Sequence, residues 1–409
     1  MTDSLKRISV LYFGLVYLGY VLTVFVPGFR TGVFAAALLV GIVIEIGLGI
    51  IKSDKPSDFI SVMNICVLGY LFYNFISFIW IIKNGYPISI YVEEFSNSVL
   101  PVVFYFVAVI CFEKGFDAVY KSFLFSYGVF SLLCIIFYAW APQFYCDFLF
   151  NMSFISKADA STCHVRMEGF TGSTCVSYLG VAAMVVAAKY MYEKFAEKKF
   201  KEFSLYSFLF VYFLAVVFLA NGRAGMVAAI LVIVYINFLV FYCFKFAPKK
   251  YLYIELGVIV LLILVMCALM PGVVAKIWAR LVSLPGAVGQ RSEQWISAIN
   301  NMHGQWFGNG LGANGHKAIN IEGAHAIPDG GIVKLYCEEG ALGFSLFVYI
   351  MLVTFRNGIK NLKATFAELG IIGTALMMSI GSNIIAFQLC VPIFWYAVGV
   401  VEAGRKKCE

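Results

Sequence analysis

The sequence predicts an all-α polytopic membrane protein, with about 12 transmembrane helices and a large external loop between the ninth and tenth spans. Three observations predict it. The chain is 62% apolar and only 13% charged, with a mean hydropathy of +0.88, outside the range of soluble globular domains. Apolar runs of about 20 residues, the length that crosses a hydrocarbon core, recur along it. Lys and Arg also alternate in density between successive loops, as membrane topology requires.

The candidate spans are 8–26, 31–51, 59–82, 97–112, 119–140, 171–190, 204–220, 224–244, 252–270, 333–355, 364–382 and 384–401. The first follows Lys6 and Arg7, as a signal peptide would. It is too long for a signal h-region, however, and reaches Val26-Pro27 without a small-x-small cleavage site, so a retained first span is expected. With a cytoplasmic N-terminus and twelve crossings, the inner side carries 20 Lys and Arg and the outer side 10. The inner clusters are compact, among them Lys194, Lys198, Lys199 and Lys201, then Lys245, Lys249 and Lys250. Both termini are then cytoplasmic. The net charge of +7 is read as this topology signal, and no nucleic-acid partner is expected.

Residues 1–409 read as a single integral membrane domain with two external segments, 141–170 and 271–328. A P-loop is absent, which argues against ATP-driven transport by this chain alone. The eleven cysteines include no C-x-x-C pair. Cys146 and Cys163 share the first external segment, where they could form a disulfide.

The second segment holds His303, His316 and His325, three of the four histidines. Between Arg291 and Met302 the apolar residues Trp295, Ile296, Ile299 and Met302 fall at i, i+1, i+4 and i+7. That spacing predicts a helix near 291–302 lying along the outer surface. Gly308-Asn309-Gly310-Leu311-Gly312 must be a turn, and its G-x-G follows no strand, so a dinucleotide fingerprint is rejected. Asp329 is a candidate N-cap for the helix that re-enters the membrane. On that helix Lys334 and Glu338 stand one turn apart.

Several groups converge on the outer face in this topology: Arg166, Arg223, Arg280, Arg291, His164, His303, His316 and His325. Arg223, in the turn Asn221-Gly222-Arg223-Ala224-Gly225, reads either as a snorkelling interfacial arginine or as a grip on an anionic headgroup. A planar guanidinium holds phosphate oxygens bidentately, so Arg223 and Arg291 together would clamp a diphosphate. His325 reads either as a satisfied loop histidine or as a base for a hydroxyl nucleophile. The histidines lack regular ligand spacing, and no metal site is assigned.

The Gly222-Arg223-Ala224 turn, the Arg291-x-x-x-Trp295 start, Gly308-Asn309-Gly310-Leu311-Gly312, and His325 ahead of a helix containing Glu339-Gly340-Ala341-Leu342-Gly343 follow in a telling order. In them the chain resembles the O-antigen polymerase and O-antigen ligase superfamily of bacterial inner-membrane glycosyltransferases. The resemblance covers the C-terminal half; the first five spans share only hydropathy. It implies a metal-independent, cofactor-free transferase whose site faces the periplasm and whose donor is a glycan on undecaprenyl pyrophosphate. Membrane lipid surrounds it, and a chain-length regulator protein is a candidate partner. By position, Arg223 and Arg291 would bind the pyrophosphate, Arg166 would join the same anionic pocket, and His325 would be the base. The family often places Asn and an apolar run directly after the histidine. Here the order is His325-Ala-Ile-Pro-Asp329, which makes Asp329 a rival base or an orienting partner.

The expected function is polymerisation of lipid-linked O-antigen repeat units. The alternative with the same chemistry is an O-antigen ligase that transfers polymer to lipid A-core. A third reading, from another class, is a lipid-linked oligosaccharide flippase. A conduit would need charges in mid-membrane, whereas nearly all charges here sit at span ends, with Glu45 and Glu255 a turn or two in from the cytoplasmic side.

Overall fold

A computed structural model describes residues 2–26, 29–51, 61–111, 117–140, 146–147, 166–244, 271–282 and 284–406, with single positions at 257, 260, 264 and 268. Helices α1 (Thr2–Phe25), α2 (Thr31–Ile51), α3 (Val62–Ile76), α4 (Phe78–Lys83), α5 (Ile88–Glu94), α6 (Val103–Cys111) and α7 (Asp117–Trp140) come first. They are followed by α8 (Ser173–Ala196), α9 (Phe200–Ala220), α10 (Arg223–Phe238), α11 (Pro271–Val282) and α12 (Leu284–Asn300). The chain closes with α13 (Gly331–Lys360), α14 (Leu362–Gly381) and α15 (Val391–Lys406). There is no strand among the described residues. Among the described residues ten helical segments are long and apolar enough to cross a membrane, so the chain is a multi-pass membrane protein.

Two of the twelve expected spans fall outside that set. The ninth, 252–270, lies almost wholly outside the described residues. The twelfth is a shorter α-helix, α15, of 16 residues that starts only at Val391. The stretch ahead of it is committed elsewhere. Asn383 Nδ2 donates to the Ile327 and Pro328 carbonyls at 3.0 and 3.1 Å, and Gln388 Nε2 donates to the Gly32 carbonyl at 3.2 Å. Polar side chains that hold distant backbone keep 382–390 out of the α-helix, and Pro392 then suits its first turn.

The described residues fall into two compact units, Met1–Phe130 with Gln290–Glu409, and Ser131–Gly289. In the first unit α6 packs along α15, while α13 packs on α3, α14 and α15. Gly399 permits the α6–α15 approach, because a Cβ there would press on the Tyr105 carbonyl and stand 2.7 Å from Ala108 Cβ. Small residues at such crossings are the usual basis of close packing in lipid. In the second unit α8 lies against both α9 and α10. It carries five alanines and Gly180 and is buried continuously from Cys175 to Tyr190. Gly222 and Gly225 both face Ser177, and a Cβ on either would overlap it, so the glycines of the Arg223 turn set the α8–α10 distance.

Among the described residues three spans are broken in mid-length. Ser77 separates α3 from α4, and its hydroxyl bonds back to the Asn74 carbonyl at 2.8 Å. A π-turn at Phe95–Val99 and a 3-10 turn at Leu100–Val102 separate α5 from α6, where Pro101 has no N–H for the ladder. Gly340 interrupts α13 with φ 64° and ψ −172°. The third break positions the site.

Candidate functional site

A break in a membrane helix exposes backbone groups that lipid cannot satisfy. At Gly340 the segment 304–312 satisfies them. Asn309 N–H donates to the Cys337 carbonyl at 2.9 Å and Gly310 N–H to the Glu338 carbonyl at 3.0 Å. On the far side of the break, Ala341 N–H donates to the Gln305 carbonyl at 2.8 Å and Leu342 N–H to the Trp306 carbonyl at 3.1 Å. The Tyr73 hydroxyl covers the remaining Glu339 carbonyl at 2.5 Å. Gly308 and Gly340 meet backbone to backbone, both with positive φ, a conformation open chiefly to glycine. The turn 308–312 is thus the plug of a broken helix.

Charged side chains gather where the plug meets α13. Lys334 Nζ lies 2.5 Å from Glu94 Oε1 and 3.3 Å from Glu338 Oε2. Glu338 Oε1 also accepts from Asn314 N–H at 3.1 Å. Glu339 Oε1 accepts from the Tyr70 hydroxyl at 2.7 Å. Lys334, Glu338 and Glu339 are all buried. The expected Lys334–Glu338 pair is therefore present, but as part of a buried cluster. These charges lie near the start of their span, and helix packing, invisible to a hydropathy window, encloses them. Asparagines tie the cluster to the histidine loop. Asn309 Nδ2 donates to Asn314 Oδ1 at 3.0 Å, and Asn314 Nδ2 donates to the His325 carbonyl at 2.7 Å.

Helix α12 extends seven residues ahead of the expected surface helix. Its predicted apolar face divides. Trp295 and Met302 pack around Ala298, Ile327 and Cys337, whereas Ile296 and Ile299 are exposed. From this helix Arg291 Nη2 reaches Asp329 Oδ2 at 2.7 Å, and Trp295 Nε1 donates to the Asp329 carbonyl, also at 2.7 Å. Asp329 is consequently not the N-cap of α13. Gly330 holds that position without a side-chain cap, because the Asp329 carboxylate is drawn to Arg291. Ser297 Oγ lies 3.2 Å from His325 Nδ1.

The three histidines of this segment have separate partners. His303 Nδ1 lies 3.3 Å from Asn309 Oδ1, and its ring meets Tyr86 edge-on. His316 stacks on Phe387, and His325 meets Ser297. Among the described residues no group of His, Cys, Asp and Glu is placed to hold a metal ion.

In the second unit Arg166 pairs with Glu168, whose other oxygen accepts from Ser173 N–H at the start of α8 at 2.5 Å. Arg166 is thereby tied to a helix N-terminus. Arg223 is the first residue of α10, half-buried, and Arg280 lies in α11. Cys146 is disulfide-bonded. Cys163, its expected partner, lies outside the described residues, as does His164.

The structure thus brings together Arg291, Asp329 and His325 along one helix and one loop of the first unit; Arg166 and Arg223 belong to the second. Sequence reasoning did not assign Glu94, Glu339, Tyr70, Asn74, Ser297, Asn309 or Asn314 to a site. The available signal was the Glu338-Glu339-Gly340 run inside an apolar span, where ionisable residues mark function by default. Compared with protein-family models and with curated proteins, the chain finds a match in neither.

Proposed function

We propose that the protein is a periplasm-facing glycosyltransferase of the bacterial inner membrane that polymerises O-antigen repeat units carried on undecaprenyl pyrophosphate. The observation that carries this reading is the arrangement of Arg291, Asp329, Ser297 and His325: a cation and an imidazole held by one helix and one loop. Arg291 engages Asp329 through Nη2, which leaves guanidinium donors for the oxygens of a diphosphate. In the proposed step the acceptor hydroxyl attacks the anomeric carbon of the donor and a new glycosidic bond forms. The bond from that carbon to the pyrophosphate breaks, undecaprenyl pyrophosphate leaves with the bonding electrons, and His325 takes the hydroxyl proton. Negative charge grows on the diphosphate, so fixed cations favour the transition state over the ground state.

Asp329 is assigned as the orienting partner of Arg291, since its carboxylate is already engaged. The lipopolysaccharide banding pattern of a strain lacking this chain tests the reading. Single repeat units on core, without a ladder, support the polymerase. Long polymer accumulating on the lipid carrier with bare core supports the ligase.

A second reading, a lipid-linked oligosaccharide flippase, is favoured by one observation. A broken membrane helix with buried Lys334, Glu338 and Glu339 is the kind of element that lines transport sites. Single units retained on the cytoplasmic side in the same strain would support it.

A further inference from the structure

The cluster around the break of α13 does not balance in charge or in hydrogen bonds. Glu94, Glu338 and Glu339 face one cation, Lys334, which contacts the first two. Among the described residues Glu339 has no ion-pair partner. Its Oε1 accepts from Tyr70, and its Oε2 is buried without any hydrogen-bond partner. The Asn74 side chain lies beside both Tyr70 and Glu339. Asn74 Nδ2 donates to the Tyr70 carbonyl at 3.1 Å, while Asn74 Oδ1 is likewise buried and unpartnered. Two enclosed acceptors, Glu339 Oε2 and Asn74 Oδ1, are thus without a hydrogen-bonding donor. A bare carboxylate there would be costly.

We propose that Glu339 is a proton-binding site that locks segment 304–312 into the break of α13. A proton on Oε2 supplies a donor and removes a charge from beside Glu338. Glu339 is also the last residue before Gly340, and its carbonyl and that of Glu338 receive the Tyr73 hydroxyl and Gly310 N–H. The groups facing Glu339 are Tyr70, Tyr73 and Asn74 from α3, and Lys334 and Glu338 from its own helix, with Glu94 from α5 bound on the far side of Lys334. Only Lys334 among these is cationic, and it is taken by Glu94 and Glu338. Loss of the proton sets an uncompensated anion against Glu338 at the point where the plug is hydrogen-bonded. The plug then disengages.

The test uses the full chain in lipid nanodiscs, as wild type and as Glu339→Gln, an isosteric mimic of the protonated acid. Infrared spectra of the wild type should contain a protonated-carboxyl C=O band that moves in heavy water and is missing from Glu339→Gln. Hydrogen exchange, corrected for the intrinsic rate, reports on the plug through the amides of Asn309, Gly310, Ala341 and Leu342. Protection in the wild type should fall about tenfold or more on moving to alkaline pH, and should stay constant in Glu339→Gln. A carboxyl band that persists unchanged in Glu339→Gln overturns the site. Wild-type protection that tracks Glu339→Gln across the whole range overturns the lock.

Discussion

Arg291 Nη2 and Asp329 Oδ2 lie 2.7 Å apart, and this pair fastens helix α12 to the chain entering α13. The relationship changes the reading of both residues. Asp329 serves by holding a guanidinium in place, and Arg291 becomes a fixed cation on a surface where an anion can reach it.

Replacing Asp329 by Asn should therefore weaken catalysis through Arg291. A charge-assisted hydrogen bond contributes about 1.5–3 kcal/mol, so a fall of about tenfold to a hundredfold in polymerisation rate is expected, with membrane abundance unchanged. Arg291→Ala should abolish polymer, and Arg291→Lys should be poorly tolerated, because an ammonium cannot reproduce the planar fork. Quantified lipopolysaccharide ladders beside immunoblots check all three. A wild-type ladder in Arg291→Ala would contradict the assignment.

Ser297 and His325 give a second pair to separate. His325→Ala should remove polymer if the imidazole takes the acceptor proton. Ser297→Ala should slow polymerisation without abolishing it, since Ser297 Oγ lies 3.2 Å from Nδ1 and helps orient the ring. A wild-type rate in Ser297→Ala would remove it from the mechanism.

The plug predicts a stability defect far from any substrate. Gly308→Ala and Gly340→Ala each place a Cβ against backbone at positive φ. Each should cost about 2 kcal/mol or more, read as a lower thermal midpoint in detergent. Gly304→Ala is the control, because a Cβ there meets nothing within 4 Å.

Lys334→Met should destabilise more than most substitutions. It strands Glu94 and Glu338 without their cation, and breaking a buried pair costs about 3–5 kcal/mol. Adding Glu94→Gln and Glu338→Gln should recover much of the loss. A triple variant no more stable than Lys334→Met would argue against a mutually compensated cluster.

The multi-pass helical class was legible because hydropathy over about 20 residues reports burial in lipid directly. The break at Gly340 was not. A helix with a run such as Glu338-Glu339-Gly340 looks continuous in sequence, and only the distant turn 304–312 makes its interruption tolerable. The start of the last helix was misplaced for a similar reason, since Asn383 and Gln388 serve carbonyls of Ile327 and Gly32 that no local pattern reveals. Arg291, Asp329 and His325 were legible as chemistry-bearing residues in a polar excursion. Their pairing was not, because Asp329 fits the statistics of an N-cap equally well and the choice falls to Arg291, 38 residues away. Ser297 carried no signal at all.

The most direct measurement reconstitutes the purified chain in proteoliposomes with undecaprenyl-pyrophosphate-linked repeat units and follows the lipid-linked glycans. The account predicts a ladder of longer glycans with release of undecaprenyl pyrophosphate, lost with Arg291→Ala. Units that stay at their original length while crossing the bilayer would contradict it and identify a transporter instead.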